Sequence, residues 1–209
     1  MIVEINTSLN EKLERSFYER PDVVEVARDL IGTHLVSNID NQITVGMIVE
    51  TEAYCGRGDK ACHANYRKTP RTEVMYGRGG HGYIYLCYGI HHLFNVVTNT
   101  EGMADAVLIR AIEPIEGLET MKLRRGNPKT RLTAGPGILS QAMGIKVNRS
   151  GIDLLADEIW ISPRKRNDFK IEIDTRIGVD YAEEDALKPW RFYMEGNKNV
   201  SKTKRARGE

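Results

Sequence analysis

Apolar and polar residues alternate over much of the chain, and the alternation predicts strands more often than helices. HLVSNIDNQITVGMIVETEAY, residues 34–54, reads as two strands about a turn at Asp40-Asn41. The second strand opens apolar at Met47, Ile48 and Val49, then takes in two carboxylates and a tyrosine. Side chains along a strand point alternately to its two faces, so Glu50, Glu52 and Tyr54 share one face, and Val49, Thr51 and Ala53 the other. GYIYLCYGIHHLFNVVTNT, residues 82–100, predicts a hairpin centred on Tyr88-Gly89-Ile90-His91. Tyr83, Tyr85 and Cys87 then face one way, and Ile84, Leu86 and Tyr88 the other. ADAVLIRAIEP predicts a further strand, and EIWISP, FKIEID and WRFYME predict three more toward the end.

Helical spacing is confined to three places. Residues 15–32 place Val23, Val24, Val26, Ala27 and Leu30 at helical intervals, with a proline near the start and Gly32 at the close, which predicts one helix. Pro114 is expected to begin a second, through IEGLETMKLRR. Pro136 is expected to be the first residue of a third, in TAGPGILSQAMGI. Residues 55–82 are loop-like and glycine-rich.

Composition narrows this. At 209 residues the chain is expected to form a single domain over 1–197, followed by a basic tail over 198–209. No apolar run is long enough for a membrane span, and the N-terminal residues are too acidic and broken for a signal peptide. Three cysteines, Cys55, Cys62 and Cys87, with no Cys-x-x-Cys pair fit a reducing compartment: cytoplasmic in a bacterium, nuclear in a eukaryote. The net charge is only +1, but its distribution is uneven. Residues 122–150 hold Lys122, Arg124, Arg125, Lys129, Arg131, Lys146 and Arg149 and no acid, while Glu183, Glu184 and Asp185 cluster elsewhere. A basic face suits a polyanion, and a solvated face with a basic tail has the same composition.

The residues that could carry chemistry lie on two predicted strands. Glu50 and Glu52 on one face would repel unless one is desolvated or paired. Sequence alone gives either the role of a catalytic acid or base, and either that of a salt bridge. Arg110, inside an apolar strand, calls for an anionic partner, either a carboxylate or a ligand phosphate. Tyr88 at a hairpin tip is hard to bury, and exposed apolar tips can enter DNA as wedges. Gly135-Pro136-Gly137 offers free N–H groups for a phosphate, a weak signal alone. Cys55, Cys62, His63, His81, His91 and His92 could in principle form a zinc site, but their spacings match no standard ligand pattern. A non-catalytic nucleic-acid binder is the other alternative.

VETEAY followed by His63, TPR with Met75, GYIYLCYG with Asn95, VLIRAIEPIEGLETM, GPGILSQAM and KPWRFY together resemble the alkyladenine (3-methyladenine) DNA glycosylase family. The resemblance runs in order from about Phe17 to Glu195. It implies one α+β domain with a curved, mostly antiparallel sheet flanked by helices, with no metal or cofactor. It implies a monomer that acts on damaged double-stranded DNA in base excision repair. By the same resemblance, Glu52 is the water-activating carboxylate, and Tyr54, His63 and Tyr85 stack on the extruded base. Tyr88 fills the gap the base leaves, Asn95 screens against guanine, and Arg110 contacts DNA near the lesion. Cys62 before the pocket histidine, and His91-His92 where bulkier aromatics are expected, depart from the family's pattern.

Overall fold

The computed structural model describes residues 9–201. Eight strands form one antiparallel sheet, curled into a half-barrel and flanked by short helices, as an α+β domain. Strand β1 (His34–Ile39) turns into the 13-residue β2 (Gln42–Tyr54). Asp40 and Asn41 both take positive φ (56° and 57°), the geometry a two-residue hairpin loop requires. Then follow β3 (Gly82–Cys87), β4 (His91–Thr98), β5 (Asp105–Glu116), β6 (Ile159–Ser162), β7 (Ile171–Asp174) and β8 (Arg191–Met194). The main order is β3-β4-β5-β2-β1-β6, with β8 on β2 and β7 on β8.

β2 is the trunk of the sheet. Its first half pairs with β1, and its end, Glu50 to Glu52, lies between β5 on one side and β8 on the other. A position flanked on both sides is buried, and Glu50, Thr51 and Glu52 are all 0% exposed. Val49 and Ala53 enter the main core, where helix α2 (Val23–Asp29) packs through Val26 and Ala27. Thr51 donates its hydroxyl to the Ala27 carbonyl at 2.8 Å. The opposite face is therefore left to Glu50, Glu52 and Tyr54, as alternation requires.

Two helix expectations are corrected. Residues 15–32 form not one helix but two: α1 (Arg15–Tyr18), then α2 after a break at Arg20-Pro21. Proline disfavours a helical conformation in the residue before it, and Asp22 caps the new start by accepting from the N–H groups of Val24 and Glu25. Pro114 begins no helix; it stays in β5 opposite Gly46, at a register shift where a missing N–H is tolerated. Helix α3 starts only at Leu118 and ends at Arg124. Helix α4 (Pro136–Met143) does begin at Pro136. Of the expected tail, Val200 packs on the core and Ser201 bonds to Glu50; Lys202, Lys204, Arg205 and Arg207 lie outside the described residues.

Candidate active site

A cavity of about 240 Å³ lies at the end of β2, which lends it Tyr54. β3 lines it with Tyr83, Tyr85 and Cys87, β4 with Asn95, and β5 with Leu108 and Arg110. The loop after β2 supplies Ala61, Cys62 and His63, and the loop after β7 supplies Ile177, Gly178, Val179 and Tyr181. A small apolar cluster of Cys62, Ala64, Met75, Tyr83, Val97, Ala104 and Ala106 backs this wall, separate from the main core.

The two carboxylates differ in their surroundings. Glu50 has four hydrogen bonds: Oε1 accepts from Arg110, Arg191 and the Ser201 hydroxyl, and Oε2 from the Ser201 N–H. Glu52 accepts two hydrogen bonds and makes one ion pair. The Ile177 N–H lies 2.7 Å from Oε1, while the Tyr54 hydroxyl at 2.7 Å and Arg110 at 3.1 Å both reach Oε2. Oε1 therefore keeps a lone pair for one more donor, such as a water. All three partners of Glu52 line the cavity or its rim. Donors from β8 and the C-terminal segment surround Glu50 and do not reach Glu52.

Arg110 reaches both acids because of an irregularity in the sheet. Register shifts between β2 and β5 leave Val49 and Arg110 without opposite residues. Such bulges re-aim side chains, and here the guanidinium sits between Glu50 and Glu52, 7% exposed. Of the two kinds of anionic partner expected for it, the structure supplies carboxylates. These two acids hold Arg110 above its already high range against the burial that lowers it.

The aromatic residues meet at one corner. His63 stands edge-on to Tyr85 at 4.6 Å and its Nδ1 lies 3.1 Å from the Tyr83 hydroxyl, while Tyr83 and Tyr85 stack at 5.6 Å. His63 and Tyr85 thus form adjacent walls. Burial, with Arg71 adding to it, pushes His63 down to about 4, so it is neutral at pH 7. Burial, reinforced by Glu52, raises Tyr54 well above the usual tyrosine range, so its hydroxyl keeps the proton it donates. Asn95 turns Nδ2 to the carbonyls of Tyr83 and Leu93. Tyr83, Ile177 and the loop beyond it were not singled out as pocket residues from sequence. Tyr83 was legible as sharing a face with Tyr85; a main-chain donor such as Ile177 leaves no signature.

The hairpin tip is as expected. Tyr88 is 91% exposed and Ile90 70%, and Tyr88 takes φ 51°, a conformation strained for a bulky residue. Beyond the tip a larger groove is lined by His91, His92, Arg124, Lys146 and Arg149. The six cysteines and histidines considered for zinc are not gathered: among the described residues no three His, Cys, Asp or Glu side chains are placed to hold a metal ion. Among the same residues no helix is long and apolar enough to cross a membrane.

An aromatic cavity beside a buried carboxylate, an exposed aromatic hairpin tip and a basic groove are the features this α+β domain presents together. The chain belongs to the methylpurine-DNA glycosylase family, whose model matches residues 16–198. Its relatives include a protein of Natranaerobius thermophilus, 49% identical over 196 residues, which cover 91% of this chain and 98% of that one. Another, of Clostridium acetobutylicum, is 47% identical over 204 residues, 93% of this chain and 99% of that one. Both are provisionally named as 3-methyladenine DNA glycosylases.

Proposed function

We propose that this chain is a monofunctional DNA glycosylase that flips alkylated or deaminated purines out of duplex DNA and hydrolyses the N-glycosidic bond. The observation that carries the reading is Glu52: a carboxylate with no exposure, hydrogen-bonded to Ile177 and Tyr54 and paired with Arg110, beside an aromatic cavity. Extruding a base costs a few kcal/mol. Tyr88 at the hairpin tip offers a side chain to fill the gap, and stacking on the pocket rings returns about 1–3 kcal/mol per base. Alkylation at a ring nitrogen makes the purine cationic, which favours aromatic faces and weakens the bond to C1′. Neutral His63 adds no repulsion to such a base.

In this mechanism a water on Oε1 attacks C1′. The departing base takes the bonding electron pair, Glu52 accepts the water's proton, and its charge stabilises the positive sugar as it forms. Help of this kind contributes about 10²–10⁴-fold. Among the described residues no lysine lines the cavity, which supports hydrolysis over amine attack and an abasic site left in an intact strand. The test is incubation with duplexes carrying 3-methyladenine, 7-methylguanine, hypoxanthine or ethenoadenine. Released base and an alkali-sensitive abasic site are expected. Binding without base release would leave a nucleic-acid-binding module and overturn the reading.

A further inference from the structure

Asp59 and Arg176 are 117 residues apart in the chain, yet their side chains meet with no exposure on either. Burying two charges is costly unless further hydrogen bonds satisfy them. Here Arg176 grips Asp59 through both ends of its fork, at 2.6 and 2.8 Å. It also donates to the carbonyls of Ala53 and Asp185, both at 2.9 Å. Asp59 in turn accepts from the N–H groups of Cys55 and Ala61. One contact thus ties together the end of β2, the loop that carries His63, and the loop that carries Ile177.

Two further contacts connect the pair to Glu52. The Arg176 guanidinium lies 4.9 Å from the ring centroid of Tyr54, whose hydroxyl bonds to Oε2. The residue after Arg176 is Ile177, whose N–H bonds to Oε1. We propose that the Asp59–Arg176 pair is a positioning element for the reaction, setting both uncharged donors that orient Glu52. The inference rests on Glu52 being the water-activating carboxylate. A plain structural clamp needs no such placement beside the donors of a single side chain.

The test uses Asp59→Asn and Arg176→Lys, two changes that keep size or charge, in the full chain. Single-turnover excision should fall about tenfold or more, the factor tied to losing a hydrogen bond to a charged group. The Kd for duplex holding a tetrahydrofuran abasic analogue should stay within about twofold, because both side chains are buried away from the surface. The Ile177 amide proton, bonded to a carboxylate, should resonate downfield in the wild type and move upfield in both variants. Arg176→Lys, the milder change, is read if Asp59→Asn leaves no folded protein. A rate that falls while the Ile177 amide stays in place would make the pair a structural clamp and overturn the proposal. So would a wild-type rate in both variants. The reading of Glu52 fails separately, if Glu52→Gln itself excises normally.

Discussion

The Tyr54 hydroxyl donates to Oε2 of Glu52 at 2.7 Å, across two residues of one strand. The phenol keeps its proton because burial and the neighbouring carboxylate both oppose its ionisation. The bond therefore persists through the neutral range and fixes one oxygen of Glu52. Tyr54→Phe removes only this donor. Excision should fall about tenfold, as a hydrogen bond to a charged group contributes roughly 1.5–3 kcal/mol, while the ring still packs against Arg176. Single-turnover kinetics check this; an unchanged rate would show that Arg110 and Ile177 orient Glu52 unaided.

Tyr88 is expected to act only once DNA is bound. At 91% exposure it buries little on folding, so Tyr88→Ala should change stability by no more than about 0.5 kcal/mol. The flipped fraction of bound DNA should drop, more for well-stacked lesions than for mispaired ones, which cost less to extrude. Thermal melts and ethenoadenine fluorescence on the same variant decide. A collapsed melt with normal flipping would contradict the wedge role.

His63 links stability to pH. Its folded value of about 4 lies below the usual 6.5, so the folded state disfavours the proton that the unfolded chain accepts. This contribution is complete above about pH 6.5 and is lost as pH falls to about 4, a change on the order of 3 kcal/mol. His63→Gln has no such titration. Between pH 7 and pH 4.5 the wild type should lose more melting temperature than the variant; parallel losses would contradict it.

Asn95 lines the cavity with its amide nitrogen held by two main-chain carbonyls. A side chain fixed in this way can reject guanine, whose exocyclic amine separates it from hypoxanthine. Asn95→Ala should raise excision of guanine relative to hypoxanthine. An unchanged ratio of the two rates would mean that the base enters the pocket in another orientation.

Local pattern carried most of the fold. Period-two alternation placed Glu50, Glu52 and Tyr54 on one face, and turn residues marked Asp40-Asn41 and the Tyr88 tip. The failures came where tertiary contacts override local preference. Pro114 is kept in a strand by a bulge opposite Gly46, and Pro21 splits a continuous helical pattern in two. At the site, Glu50 and Glu52 look alike in sequence; donors from β8 and Ser201 on the first, and from Tyr54 and Ile177 on the second, set them apart. Asp59 and Arg176 had no local pattern to reveal them, since the contact that gives them meaning spans 117 residues.

In the proposed mechanism the charge of Glu52 does the chemistry. Glu52→Gln keeps the shape and removes the charge. Its single-turnover rate on the best-excised of the four lesions, measured beside its affinity for the same duplex, is the most direct test. Excision should fall at least about 10²-fold, with binding unchanged or tighter because one anion near the phosphates is gone. Excision at close to the wild-type rate would contradict the account.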